Sequence, residues 1–106
     1  MPSVADLVEP ETLNERAGEY LIRAGNTLRK GGHVRLVEFG PLRVTAVVDD
    51  VGSHSVVLAS RAHVLDIACD CGWSTAGGWC PHAVATAIET WHQALARRRP
   101  ADAIER

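Results

Sequence analysis

A chain of 106 residues with a formal net charge of −2 fits one domain around one modest core. So small a net charge supplies no general attraction to phosphate, which counts against a simple basic nucleic-acid binder. Apolar residues form 46% of the sequence, which excludes a disordered chain, and no apolar run approaches the ~20 residues of a membrane span.

Residues 1–9 read as a flexible lead-in with no basic stretch followed by an apolar one, so no secretory signal is expected. Pro10, flanked by Glu9 and Glu11, suits the first turn of a helix. Leu13, Ala17, Tyr20, Leu21, Ala24 and Leu28 then recur at spacings of three and four, the pattern of one buried helical face. Gly18 and Gly25 weaken that helix and Gly31-Gly32 ends it. The pattern leaves open whether it stops at Gly25 or runs on to Arg29. His33 to Phe39 is strand-like, with an alternation that slips at Leu36-Val37, as a bulge would make it. Gly40-Pro41 turns the chain into Leu42, Val44, Ala46 and Val48, a period of two. Asp49 to Ser53 has turn chemistry, His54 to Ser60 is a third strand, Ser60 to Ala62 another short turn, and His63 to Ala68 a fourth strand. Connections this short imply an antiparallel meander, with Val44, Val57, Leu65 and Ile67 expected on its packed face.

The fourth strand runs into Cys69-Asp70-Cys71, followed by eight residues and then Cys80-Pro81-His82. All three cysteines of the chain lie here. Three thiols and one imidazole are the four donors of a closed tetrahedral zinc site, and the glycine-rich loop between the pairs can fold back to join them. Thiolates exclude magnesium and calcium, and the sulfur–imidazole mixture suits zinc over copper(I) or a redox dithiol. The bland alternative is three incidental buried cysteines. Cys69 and Cys71 are too close to form an ordinary disulfide, so reduced thiols and a cytoplasmic setting are expected. Cys80 sits where a helix cap would, Pro81 suits the first helical position, and Val84, Ala87, Ile88, Trp91 and Leu95 follow at helical spacing. The expectation is an α+β domain over residues 10–96: an N-terminal helix, an antiparallel meander of about four strands, a zinc knuckle at 69–82 and a C-terminal helix. A basic tail, 97–106, would follow.

Cys-x-Cys, a short loop and Cys-x-His, placed after β-rich sequence and opening an apolar helix, resembles the SWIM-type zinc finger, in particular the small bacterial or archaeal proteins of that type. Cys69, Cys71, Cys80 and His82 carry the resemblance, with lesser support from Trp79 and the run Ala83-Val84-Ala85. Tyr20 and Gly25 are similar to the lead-in of bacterial members, whereas Ser55 stands where many members place a tyrosine. The resemblance spans roughly residues 15–95. It implies one structural zinc ion and contacts with protein or nucleic acid, often beside helicase-type or DNA-recombination enzymes, and no catalysis by the finger itself.

Other residues admit two readings each. Arg97, Arg98 and Arg99, together with Arg29 and Lys30 in a basic stretch from Arg23 to Arg43, are either a phosphate- or partner-contacting surface or a solvated face and tail. Trp73 and Trp79 either shield the metal or offer a ring for stacking. Asp70 either orders the knuckle or is merely solvated. His33, His54 and His63 read as strand histidines, and His92 lies too far along its helix from His82 to join the site. Ser53, His54 and Asp50 or Asp66 can be drawn as a hydrolase triad, but no nucleophile elbow accompanies them. The function expected is thus a non-enzymatic interaction module for a protein partner. The alternative is a DNA- or RNA-binding finger; neither reading calls for a membrane or a small-molecule substrate.

Overall fold

The computed structural model describes residues 3–71 and 79–98. Four helices and four strands follow in the order α1 (Val4–Leu7), α2 (Pro10–Ala17), α3 (Glu19–Lys30), β1 (Val34–Phe39), β2 (Arg43–Asp49), β3 (Ser53–Arg61), β4 (Val64–Cys69) and α4 (Pro81–Arg98). The strands form one antiparallel sheet in sequential order, the meander that the short connections require. The fold is α+β, with helices on one face of the sheet.

Within the expected lead-in, Val4–Leu7 form α1. Ser3 and Asp6 cap α1 reciprocally, each side chain bonding the other's backbone N–H. Val4 and Val8, one helical turn apart, are fully buried, and the Val4 N–H donates to the Pro41 carbonyl at 2.7 Å. Two apolar side chains sufficed to anchor a segment too short to show periodicity.

Gly18, at φ 89°, divides the expected long helix into α2 and α3, and α3 continues past Gly25 to Lys30. The break reorients the faces: Leu13 and Leu21 are buried, but Tyr20 is 72% exposed and contributes nothing to the core. At Gly25 the two long helices touch. A β-carbon there would lie 2.5 Å from Val84 Cγ1 and 2.9 Å from the Ala85 nitrogen.

The slip in β1 is a bulge: Leu36 pairs with Ala46 and Glu38 with Thr45, leaving Val37 without an opposite residue and exposed. The inner face carries Val44, Ala46 and Val48 of β2 and Val56, Leu58 and Ser60 of β3, and Leu65 and Ile67 of β4 complete it. Val57 therefore faces outward, against expectation, because its partner Thr45 belongs to the outer register of β2. The β3–β4 turn also lies later than expected. Ala62 and His63 both adopt positive φ, at 47° and 67°, the geometry of a tight two-residue hairpin turn.

Helix α4 packs between the sheet and α3 and also touches α1 and α2. A helix enclosed on several sides needs small side chains, and Ala83, Val84, Ala85, Thr86, Ala87 and Thr90 are all fully buried. The buried hydroxyls of Thr86 and Thr90 donate to the carbonyls one turn back, His82 and Thr86. Arg97 and Arg98, expected in a tail, are helical because α4 runs through Arg98.

Candidate metal centre

Cys69 ends β4, Cys71 follows two residues later, and Cys80 and His82 open α4. Their ligand atoms all lie within 4.8 Å of one another. The junction of strand and helix thus gathers three sulfurs and one nitrogen around one point. Cys69 Sγ lies 3.7 Å from His82 Nδ1. Zinc–sulfur and zinc–nitrogen bonds of ~2.3 and ~2.0 Å at a tetrahedral angle place S and N about 3.5 Å apart. The donor set and this spacing fit a tetrahedral ion, with His82 binding through Nδ1. Four donors on one ion leave it no open position.

Local structure explains each placement. Cys80 precedes the first residue of α4: its carbonyl accepts from Val84 N–H at 3.0 Å and its sulfur from Ala83 N–H at 3.3 Å. A sulfur at a helix N-terminus is stabilised as thiolate by these N–H dipoles. Asp70, between two of the cysteines, accepts the Ser55 N–H at 3.2 Å and its own N–H donates to the Ser55 carbonyl. It extends the β3–β4 ladder beyond Cys69 and so orders the knuckle, the first of its two readings. The Ser55 N–H, followed by the neighbouring His54, holds its carboxyl below the usual range.

Burial pushes the Cys69 thiol up to about 12, and burial also raises Cys80, with the Ala83 N–H opposing. Neutral thiols are thus favoured in the metal-free cluster. A cation entering it must displace protons, as thiolate-ligated metals do.

Two residues that the motif did not mark complete the surroundings. Asp50 Oδ2 lies 2.8 Å from His82 Nε2, on the ring edge opposite the sulfurs. The His54 ring stacks on that of His82, centroids 4.3 Å apart and planes 17° from parallel. His54 is itself held between the Asp50 carbonyl, 3.2 Å from Nε2, and Asp70 Oδ1, 3.1 Å from Nδ1. Asp50 is 32 residues from His82 in sequence, so only the hairpin geometry reveals their contact. Asp66 pairs instead with Arg61, the Asp50 carboxylate with His82, and the Ser53 hydroxyl donates to Asp49, so the drawn hydrolase constellation does not assemble. Trp79 is buried in the core beside Cys80, which makes it packing material and removes it as an exposed stacking ring.

Of the expected contact residues, Arg97, Arg29 and Lys30 are described. Arg97 lies about four turns along α4 from His82, roughly 22 Å at ~1.5 Å per residue, and its guanidinium covers the Phe39 ring at 4.3 Å. Arg29 Nε meets Glu89 Oε1 at 3.2 Å as an ion pair without hydrogen-bond alignment. Lys30 is exposed at the end of α3. Trp73, Arg99 and the Arg98 side chain lie outside the described residues. Among the described residues no helix is long and apolar enough to cross a membrane.

The chain is thus an α+β protein whose strand–helix junction can hold a metal ion. Comparison with models of known protein families, with curated proteins and with solved structures finds no match.

Proposed function

We propose that the chain binds one structural zinc ion through Cys69, Cys71, Cys80 and His82 and serves as a non-catalytic interaction module of the SWIM-finger kind. The observation that carries this reading is the convergence of all three cysteines with one histidine from two different elements, their ligand atoms within 4.8 Å of one another. Support for a structural role comes from the count of donors, since a catalytic zinc keeps a position open.

A protein partner, of the helicase- or DNA-repair-associated class that the resemblance implies, is favoured over nucleic acid by the state of the arginines. Arg23, Arg29, Arg43 and Arg61 pair with Glu19, Glu89, Glu38 and Asp66, and Arg97 lies on Phe39. Cations already matched within the chain add little to phosphate binding. The outer sheet face, by contrast, is open, with a hollow of about 230 Å3 lined in part by Val57, Ala59, Arg61, Asp66 and Ala68.

Native mass spectrometry of the purified chain tests the metal: one zinc per chain is expected, lost on replacing Cys80 by Ser. A chain devoid of metal yet fully ordered would end the proposal. Titration with single- and double-stranded DNA at low salt is expected to show no binding. Steeply salt-dependent binding that disappears on replacing Arg97, Arg98 and Arg99 would install the nucleic-acid reading instead.

A further inference from the structure

We infer that Asp50 is a positioning residue of the metal centre: its carboxylate holds the Nε2–H of His82 and thereby commits Nδ1 to the metal. The inference rests on the zinc reading and deepens it. A neutral imidazole carries one N–H and one lone pair, and its surroundings decide which nitrogen has which. Here Nε2 faces Asp50 Oδ2 at 2.8 Å, an acceptor only, while Nδ1 faces Cys69 Sγ at 3.7 Å. The proton therefore belongs on Nε2 and the lone pair points among the sulfurs.

The carboxylate is itself placed by the fold. Asp50 opens the β2–β3 turn, where its N–H donates to the Gly52 carbonyl at 2.8 Å and its own carbonyl lies 3.2 Å from His54 Nε2. Val51 and Gly52 supply the two positive φ values that close this turn. His54 then stacks on the face of His82 and reaches Asp70, which is bonded to Ser55. His82 is thus fixed at one edge by Asp50 and over one face by His54. The β2–β3 hairpin becomes a third element at a centre whose ligands come only from the β4 end and α4. Such outer partners of a ligating histidine typically contribute 10- to 100-fold in metal affinity.

The test uses the zinc-loaded full chain. Long-range nitrogen-15 NMR of the histidine rings is expected to show His82 with metal on Nδ1 and a slowly exchanging proton on Nε2; metal on Nε2 overturns the inference. Zinc competition against a chromophoric chelator is expected to weaken about 10- to 100-fold in Asp50→Ala. Asp50→Asn, which keeps an oxygen acceptor, should recover part of that loss. Equal affinity in the wild type and Asp50→Ala overturns the inference while leaving the zinc site standing. A wild-type chain that takes up no zinc overturns both, a result distinct from the last. Should Asp50→Ala fail to fold, the wild-type ring spectrum and the Asn variant still decide.

Discussion

At Gly25 the missing side chain matters more than helix propensity. Alanine would ordinarily stabilise a helix interior by ~1 kcal/mol over glycine. In this position its β-carbon would meet Val84 Cγ1 at 2.5 Å and the Ala85 backbone nitrogen at 2.9 Å. The valine can rotate, but the backbone nitrogen belongs to a helix packed on several sides and cannot yield alone. Gly25→Ala is therefore expected to destabilise by ~1–3 kcal/mol, the usual cost of overpacking, as a lower urea midpoint with unchanged slope. A neutral or higher midpoint would show that α3 and α4 separate more easily than this geometry allows. The sequence marked Gly25 only as a weak point in a helix. A single chain has no sign of which residue will lie across an interface, so its packing role was not legible.

The thiols invite a second residue-scale expectation. Cys69 is raised to about 12 and Cys80 is raised as well, both chiefly by burial. In the metal-free fold the neutral thiol is the favoured form. Its stabilising contribution is complete below the ordinary thiol value of 9.0 and is lost as pH climbs toward the folded value. Metal binding reverses the preference, because only the thiolate ligates. Zinc uptake near neutral pH should release at least the Cys69 and Cys80 protons, and apparent affinity should rise with pH across the neutral range. An indicator dye in weak buffer measures the protons directly; a pH-independent affinity would mean that the sulfurs are not ligands.

Among the elements, α1 shows what four residues can contribute when both ends are secured. Its capping box satisfies the helix start, and Val4 and Val8 enter the core with no exposed area. Val4→Ala and Val8→Ala are each expected to cost about 2 kcal/mol, the transfer of two methyl groups plus a residual cavity. Chemical denaturation reads the difference, and a change under ~0.5 kcal/mol would mean that the segment frays freely. The longer elements were easier to read. The meander, the β1 bulge and the start of α4 followed from period, slip and the Cys-Pro step in the sequence. Val57 was assigned to the wrong face because its strand is apolar on both sides, Val56-Val57-Leu58, and alternation fails where both neighbours are aliphatic. The four clustered residues were legible because cysteine is scarce in this chain; Asp50 and His54 were not, since nothing in their spacing distinguishes them from turn and surface residues.

On the scale of the whole molecule, a metal held by this cluster would join the end of the sheet to the helix at the centre of the core. Helix α4 contacts α1, α2, α3 and every strand, so its first turn is where the helical layer and the sheet share an anchor. A structural zinc site commonly contributes ~10 kcal/mol or more in apparent binding free energy, against a net stability of about 5 kcal/mol for a small domain. Full chelation should therefore lower the melting temperature by ~20 °C or more, at ~4 °C per kcal/mol, or remove the transition altogether. The loss should not be uniform. Cys69, Cys71, Cys80 and His82 border β4 and the N-terminal turn of α4, and Asp50, just past the end of β2, meets His82, whereas Phe39 pairs with Val44 at the opposite end of the β1–β2 ladder. Amide exchange after chelation should accelerate first at β4 and at Ala83 to Thr86, with Val44 to Ala46 protected longest. Protection lost evenly across all strands would mean that the cation stabilises one indivisible unit. Unchanged exchange and melting would mean that hydrophobic packing around α4 alone holds the two layers together.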